Sequence, residues 1–142
     1  MILLDTDHLS LLKYPDNPRC AALTARLAGS SDSDIGTTIV SAEEQMRGWL
    51  AVISRRRDVH KQIDAYRELL GLMEFFNRWT ILPFDVAAAD EFERQRRGKV
   101  RIGTMDLKIA AIALVHDALL LSANLSDFRQ VPGLKVENWL DT

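Results

Sequence analysis

Four acidic stretches of this chain fall where an apolar run of strand length ends or where a helix should begin. Asp5 directly follows Ile2-Leu3-Leu4, in the order Asp5-Thr6-Asp7. Glu43 and Glu44 come shortly after Thr38-Ile39-Val40, Asp106 stands in Gly103-Thr104-Met105-Asp106, and Asp127 closes Asn124-Leu125-Ser126-Asp127 after the run Ala118 to Ser122. Each position alone has a bland explanation. Asp, Asn, Ser and Thr cap helix starts, an acid in a first turn gains roughly 0.3–1 kcal/mol from the helix dipole, and Asn124 or Asp127 could simply shape a turn. Together the acids would converge on one edge of a sheet, and mutually repelling carboxylates are not gathered for stability. A compensating cation explains them economically, and oxygen ligands at that density suit Mg²⁺ or Mn²⁺. Neighbouring helical residues point about a hundred degrees apart, so at most one of Glu43 and Glu44 should enter a shared site.

Such a site needs elements that bring distant residues to one edge. Strand-length apolar runs occur at Ile2 to Leu4, Ile35 to Val40, Thr80 to Leu82, Ala118 to Ser122 and Leu134 to Val136. Between them, Leu9, Leu11 and Leu12 suggest a short helix after Asp5, and Met46, Trp49, Leu50 and Ile53 set a helical stripe from near Ser41 into the arginine cluster. A long helix is expected from Asp58 to Arg78 and another from Val86 to about Arg97. The stretch Asp106 to His116 is apolar almost all round, as in a helix buried within a layered domain. Alternating strands and helices predict a three-layer α/β/α sandwich around a mostly parallel sheet of four or five strands. Ligands in such sheets sit beyond the carboxyl ends of the strands, where the strand order reverses.

Residues 1–142, 47% hydrophobic and 27% charged, read as one domain with no repeat or long linker, long enough to bury a core without disulfides. The lone Cys20 points to a reducing, cytoplasmic setting and is read as an ordinary small apolar residue. The amino terminus lacks the pattern of a signal peptide, and no apolar run reaches membrane-spanning length, so no membrane association is expected. The net charge of -2 does not advertise a nucleic-acid binder. Positive charge is instead concentrated in Arg55-Arg56-Arg57 and in the run from Arg94 to Arg101. His8, His60 and His116 show no ligand-like pairing and are left out of the chemistry.

At these same residues the sequence resembles the PIN-domain family, and most closely the VapC-type toxins of bacterial toxin–antitoxin pairs. The resemblance spans nearly the whole chain. It covers the opening strand ending in Asp5 with Thr6 beside it, Glu44-Gln45-Met46-Arg47-Gly48 with its acid four positions before a glycine, Gly103-Thr104-Met105-Asp106 with Ile109-Ala110-Ala111, and Asn124-Leu125-Ser126-Asp127-Phe128 with the tail from Val131 to Trp139. Four such fragments in order are specific where any one is weak. The second fragment selects Glu44 over Glu43, although Gln45 stands where an apolar residue is common.

The resemblance implies a metal-dependent endoribonuclease with Asp5, Glu44, Asp106 and Asp127 as catalytic and metal-binding acids around Mg²⁺ or Mn²⁺. The fourth acid is variable in the family, so that ligand is Asp127 directly, Asp127 through water, or Asn124. Thr6, Ser41, Thr104 and Asn124 are candidates to orient a carboxylate or water, with helix capping as their ordinary alternative. An acidic site repels RNA unless cations guide the phosphates in, and Arg47, Arg55, Arg97 and Lys99 are candidates, each equally explained as part of a solvated helix face. The resemblance also implies a homodimer and a small cognate antitoxin laid in an apolar groove, for which Leu9, Leu11, Leu12, Tyr14, Trp49, Leu50, Ile53, Tyr66, Leu69 and Phe75 supply more apolar surface than one stripe per helix needs. Two rivals are carried beside it. A catalytically idle PIN fold would serve as an RNA- or protein-binding module. A receiver-like domain would need paired acids after the first strand and a lysine near the carboxyl end, and Asp5-Thr6-Asp7 with Lys135 inside the last strand fits it poorly.

Overall fold

The computed structural model describes residues 1–140, so Asp141 and Thr142, the end of the span read as one domain, lie outside the described residues. Five short strands, β1 (Ile2–Leu4), β2 (Ile35–Thr38), β3 (Thr80–Leu82), β4 (Leu119–Leu121) and β5 (Lys135–Glu137), form one sheet in the order β3-β2-β1-β4-β5. Every pairing is parallel. The chain lays β1, β2 and β3 outward in one direction and then returns to the other side of β1 with β4, so the order reverses between β1 and β4.

Both faces of the sheet are covered, as a parallel sheet requires. Leu3 points into a core with Val40, Ala88, Ile109, Ala110, Ile112 and Ala113. Its neighbours Ile2 and Leu4 point the opposite way, into a core with Leu9, Leu23, Leu72 and Phe76. This alternation divides the helices into layers: α5 (Val86–Arg97) and α6 (Thr104–Val115) serve the first core, and α1 (Thr6–Leu11), α2 (Pro18–Ala28) and α4 (Ile63–Phe76) the second. Helix α3 (Ile39–Arg55) contributes Val40 to one and Ala42 to the other. The fold is the predicted three-layer α/β/α sandwich. Helix α6 is buried along Leu107 and Ile109 to Ala113, as its unbroken apolarity predicts.

Several boundaries differ from the sequence reading, each for a local reason. The β2 strand stops at Thr38, not Val40, because the Thr38 hydroxyl accepts the Ser41 N–H at 3.0 Å and starts α3 at once. The stretch expected as one helix from Asp58 to Arg78 is a 3-10 turn at Val59–Gln62, capped by Asp58, followed by α4. Helix α2 was not expected at all, although Asn17 caps it, Pro18 opens it and Cys20, Leu23 and Leu27 form its buried stripe. A single turn, α7 (Leu125–Phe128), follows β4.

Candidate active site

The carboxyl ends of β1 and β4 meet at the point of reversal, and the acids gather there. Asp5 is the N-cap of α1, so the helix-capping alternative is met at this residue. Its Oδ1 accepts the Thr6 N–H at 2.8 Å, and its Oδ2 accepts the Ser122 hydroxyl at 2.7 Å across the join between the two strands. Burial raises the Asp5 pKa to about 6, with further push from the negative charges of Asp7 and Glu44 against the hydrogen bonds of Ser122 and Thr6.

Glu44 approaches from the first turns of α3, where its Oε2 accepts the Thr6 hydroxyl at 2.9 Å. Its pKa is also raised, first by burial and then by Asp106, Glu43 and Asp7. Glu43 leaves the cluster to pair with Arg47, one helical turn on, at 2.7 Å. The structure thereby distinguishes the two adjacent acids. Gln45, the polar residue at an apolar motif position, is buried and satisfied: its amide donates to Ser10 at 3.2 Å, and its carbonyl accepts from Lys13 at 2.5 Å.

Asp106, in the first turn of α6, has its pKa raised by burial and by Asp127 and Asp7. The Asn124 amide donates to Asp106 Oδ2 and to Asp127 Oδ2, both at 3.1 Å, and so holds two carboxylates beside each other. Asp5, Asp7, Glu44, Asp106 and Asp127 thus form one electrostatically linked set. Among the described residues, no three His, Cys, Asp or Glu side chains stand ready to hold a metal ion. The carboxylates are instead turned onto Ser122, Thr6 and Asn124.

Two residues expected to orient carboxylates make no side-chain hydrogen bond to one of the acids among the described residues. Ser41 is fully buried and receives the Thr38 hydroxyl at 3.2 Å, which places it inside the start of α3 and not beside an acid. Thr104 is the first residue of α6, and Gly103, which has no side chain to offer, is the cap. The basic candidates are partly engaged: Arg47 pairs with Glu43, and Arg97 with Glu93 at 3.9 Å. Arg55 is exposed at the end of α3, and Lys99, also exposed, holds a left-handed backbone with φ of 65°.

Three contributors escaped the sequence reading. The negative charge of Asp7 helps raise the pKa values of Asp5, Glu44 and Asp106, and its Oδ2 accepts the Ala123 N–H at 2.9 Å. Burial pushes its pKa up, but the hydrogen bonds from His8 and Ala123 outweigh that and hold it below the usual range. Ser122 bonds Asp5, and His8 lies fully buried behind Asp7. The available signal was position: Ser122 directly follows β4 as Asp5 directly follows β1, and Asp7 and His8 follow Asp5 within the first turn of α1.

The arrangement resembles known proteins in sequence and shape. Ribonuclease VapC2 of Haemophilus influenzae is 35% identical over 79 residues, 52% of this chain, and the match spans about 59% of that relative's length. Ribonuclease VapC2 of Rickettsia felis is 26% identical over 103 residues, 72% of each chain. Among solved structures, DNA-bound VapBC of Salmonella typhimurium superposes with a TM-score of 0.74 at 20% identity over 97% of both chains. FitAcB of Neisseria gonorrhoeae gives 0.70 at 24% identity over 100% of both. The PIN domain family profile matches residues 2–134, from the start of β1 through the approach to β5, and the chain belongs to the PIN-domain family.

Proposed function

We propose that this chain is a divalent-metal-dependent endoribonuclease, the toxin of a type II toxin–antitoxin pair, with Asp5, Glu44, Asp106 and Asp127 holding Mg²⁺ or Mn²⁺. The observation that carries the reading is the convergence of these acids at the sheet's point of reversal, with the pKa values of Asp5, Glu44 and Asp106 pushed up by burial and by neighbouring carboxylates. A cluster that repels itself in this way is stabilised by a cation, and its all-oxygen donor set fits a hard one. Such an ion supplies a polarised phosphoryl oxygen and a more acidic bound water. The residues of this chain do the rest. Thr6 and Asn124 steer the Glu44, Asp106 and Asp127 carboxylates, and Ser122 sets the rotation of Asp5. The basic residues Arg47, Arg55, Arg97 and Lys99 are the side chains we assign to guiding RNA phosphates.

The toxin reading draws on the likeness to the VapC ribonucleases of Haemophilus influenzae and Rickettsia felis and to the VapBC complex of Salmonella typhimurium. We assign to a peptide of the antitoxin a groove of about 430 Å³ in which Leu12, Tyr14, Phe75 and Trp79 stand beside Lys13, Glu68 and Arg78. Tyr14, Leu50 and Tyr66 are exposed, whereas Leu9 is fully buried and belongs to the core. A homodimer is part of the same proposal. No helix among the described residues is long and apolar enough to cross a membrane, and we place the protein in the cytoplasm.

A second reading, a catalytically idle PIN fold that binds RNA or protein, draws on the absence of a ready ion-holding trio among the described residues. Cleavage of a structured RNA with and without Mn²⁺, with Asp5→Asn as control, separates the two. The nuclease reading expects Mn²⁺-dependent cleavage lost in the variant. Binding without cleavage by the unaltered protein supports the idle module.

A further inference from the structure

His8 is fully buried on the two-turn helix that Asp5 caps, and it packs as a core residue by location but not by bonding. Its Nε2 accepts the backbone N–H of Trp139 at 3.1 Å, so Nε2 carries no proton. The ring's proton is therefore on Nδ1, which donates to Asp7 Oδ1 at 2.6 Å. The other oxygen of Asp7 takes the Ala123 N–H at 2.9 Å and faces the Ser122 hydroxyl at 3.5 Å. Ser122 donates to Asp5 and accepts the Asn124 N–H at 3.0 Å, and Asn124 reaches Asp106 and Asp127. Trp139 is itself fastened: its indole N–H donates to Glu137 at 3.3 Å, and the Arg26 guanidinium lies 4.4 Å over its ring.

We propose that His8 is a positioning residue that carries the fixed backbone at Trp139 into the acidic cluster, locking Asp7 and through it the Ser122–Asn124 loop against Asp5. The inference rests on the reading of that cluster as a divalent-metal site. A buried histidine is more often only a satisfied core residue, and that account predicts lost stability and nothing else. Here both ring nitrogens are committed, one to the segment after β5 and one to a carboxylate whose second oxygen holds the loop at the end of β4. Groups hydrogen-bonded directly to an ion's ligands typically change metal affinity by about 10–100-fold when removed, and His8 reaches those ligands one step further back, through Asp7 and Ser122.

The test uses the full chain and two measurements. Ring ¹⁵N NMR of the metal-free protein is expected to show His8 protonated on Nδ1 and bare on Nε2, with the Nδ1–H resonance shifting when Mg²⁺ is added. The opposite tautomer, or a resonance unmoved by Mg²⁺ in a protein that binds it, overturns the inference. Mn²⁺ titration, followed by the electron paramagnetic resonance of the free ion, then compares the unaltered protein with His8→Phe and His8→Asn. His8→Phe keeps the bulk and loses both nitrogens, so Mn²⁺ should bind more weakly, by up to about 10-fold. His8→Asn returns an N–H donor near Nδ1 and should recover most of that affinity, while both variants melt below the unaltered protein. Lowered melting with unchanged Mn²⁺ affinity in the folded variants marks a merely structural histidine and overturns the proposal. If His8→Phe does not fold, the ring NMR decides. Failure of the unaltered protein to bind Mn²⁺ overturns the metal-site reading itself, a different result from a bound ion that His8 does not feel.

Discussion

The Ser122 hydroxyl donates to Asp5 Oδ2 at 2.7 Å, joining the ends of two strands that are 117 residues apart in sequence and adjacent in the sheet. Both residues are buried, so the bond is made away from water and opposes the burial that drives the Asp5 carboxyl toward its neutral form. Ser122 is also the acceptor for the Asn124 N–H. One hydroxyl thus orients a carboxylate on one strand and the loop leaving the other.

Ser122→Ala should therefore cost about 1–3 kcal/mol, the usual penalty for leaving buried polar partners unmade. Urea denaturation of the metal-free protein measures it. The same variant should raise the Asp5 pKa further, because the bond that lowers it is gone. An unchanged denaturation midpoint would show that water replaces the hydroxyl.

The pH dependence of stability follows from Asp5. Its folded pKa of about 6 lies above the ordinary 3.8, so the folded protein holds this proton more tightly than the unfolded chain. That contribution is complete below about pH 4 and lost as pH rises through 6, a fall of roughly 2–3 kcal/mol. Glu44 and Asp106, also raised, act in the same direction, and Asp7, which is lowered, acts against it. Asp5→Asn keeps an N-cap and an acceptor for Ser122 while removing the charge. It should flatten the decline between pH 4 and 7 in metal-free thermal melts and abolish Mn²⁺-dependent cleavage.

How much of this was legible beforehand depends on the scale of the signal. The β1 strand and α5 agree with the sequence reading residue for residue because each is bounded by a side-chain cap, Asp5 for the turn after β1 and Asp85 for α5. Helix α6 was legible because apolarity on every face admits only a central place. Helix α2 carries its own marks, the Asn17 cap, Pro18 in the first turn and the stripe of Cys20, Leu23 and Leu27, but only three of its residues are buried and no acid of the site lies on it. In the site, the acids could be placed at strand ends and helix starts, but not their hydrogen bonds. Glu43 and Glu44 have the same chemistry, and only the rotation of α3 sends one to Arg47 and the other to Thr6. Asp7 and His8 looked like ordinary first-turn residues because their partners, Ala123 and Trp139, are more than a hundred positions away.

Two glycines should respond oppositely to alanine. A Cβ at Gly36 would lie 2.7 Å from the Thr80 carbonyl oxygen, between paired strands where backbone cannot give, so Gly36→Ala should destabilise by more than about 1 kcal/mol. A Cβ at Gly48 meets nothing within 4 Å, and the residue is inside α3, so Gly48→Ala should stabilise by roughly 0.5–1 kcal/mol. Chemical denaturation of both variants checks the pair. A destabilised Gly48→Ala would refute the view that the fold itself does not need this motif glycine.

Asn124 offers the most direct separation of repulsion from metal binding. Its amide donates to Asp106 and Asp127 at once, and so supplies in the folded chain part of what a cation would supply. Asn124→Asp removes both donors and sets a third carboxylate between two others, so the metal-free protein should lose stability on the order of 1 kcal/mol or more at pH 7. Lowering the pH to 5 should restore part of that loss, because the crowded acids then share protons. Added Mn²⁺ should restore more, since the new carboxylate is another hard oxygen ligand for the ion. Stability by linkage rises with ligand concentration over its dissociation constant, so the Mn²⁺-induced shift in melting temperature should be larger for the variant than for the unaltered protein. Melts at pH 5 and 7, each with and without millimolar-range Mn²⁺, give the comparison. An equal Mn²⁺ shift in both proteins would mean that Asn124 faces its two acids outside the reach of any bound ion, and would move the metal toward Asp5 and Glu44 alone.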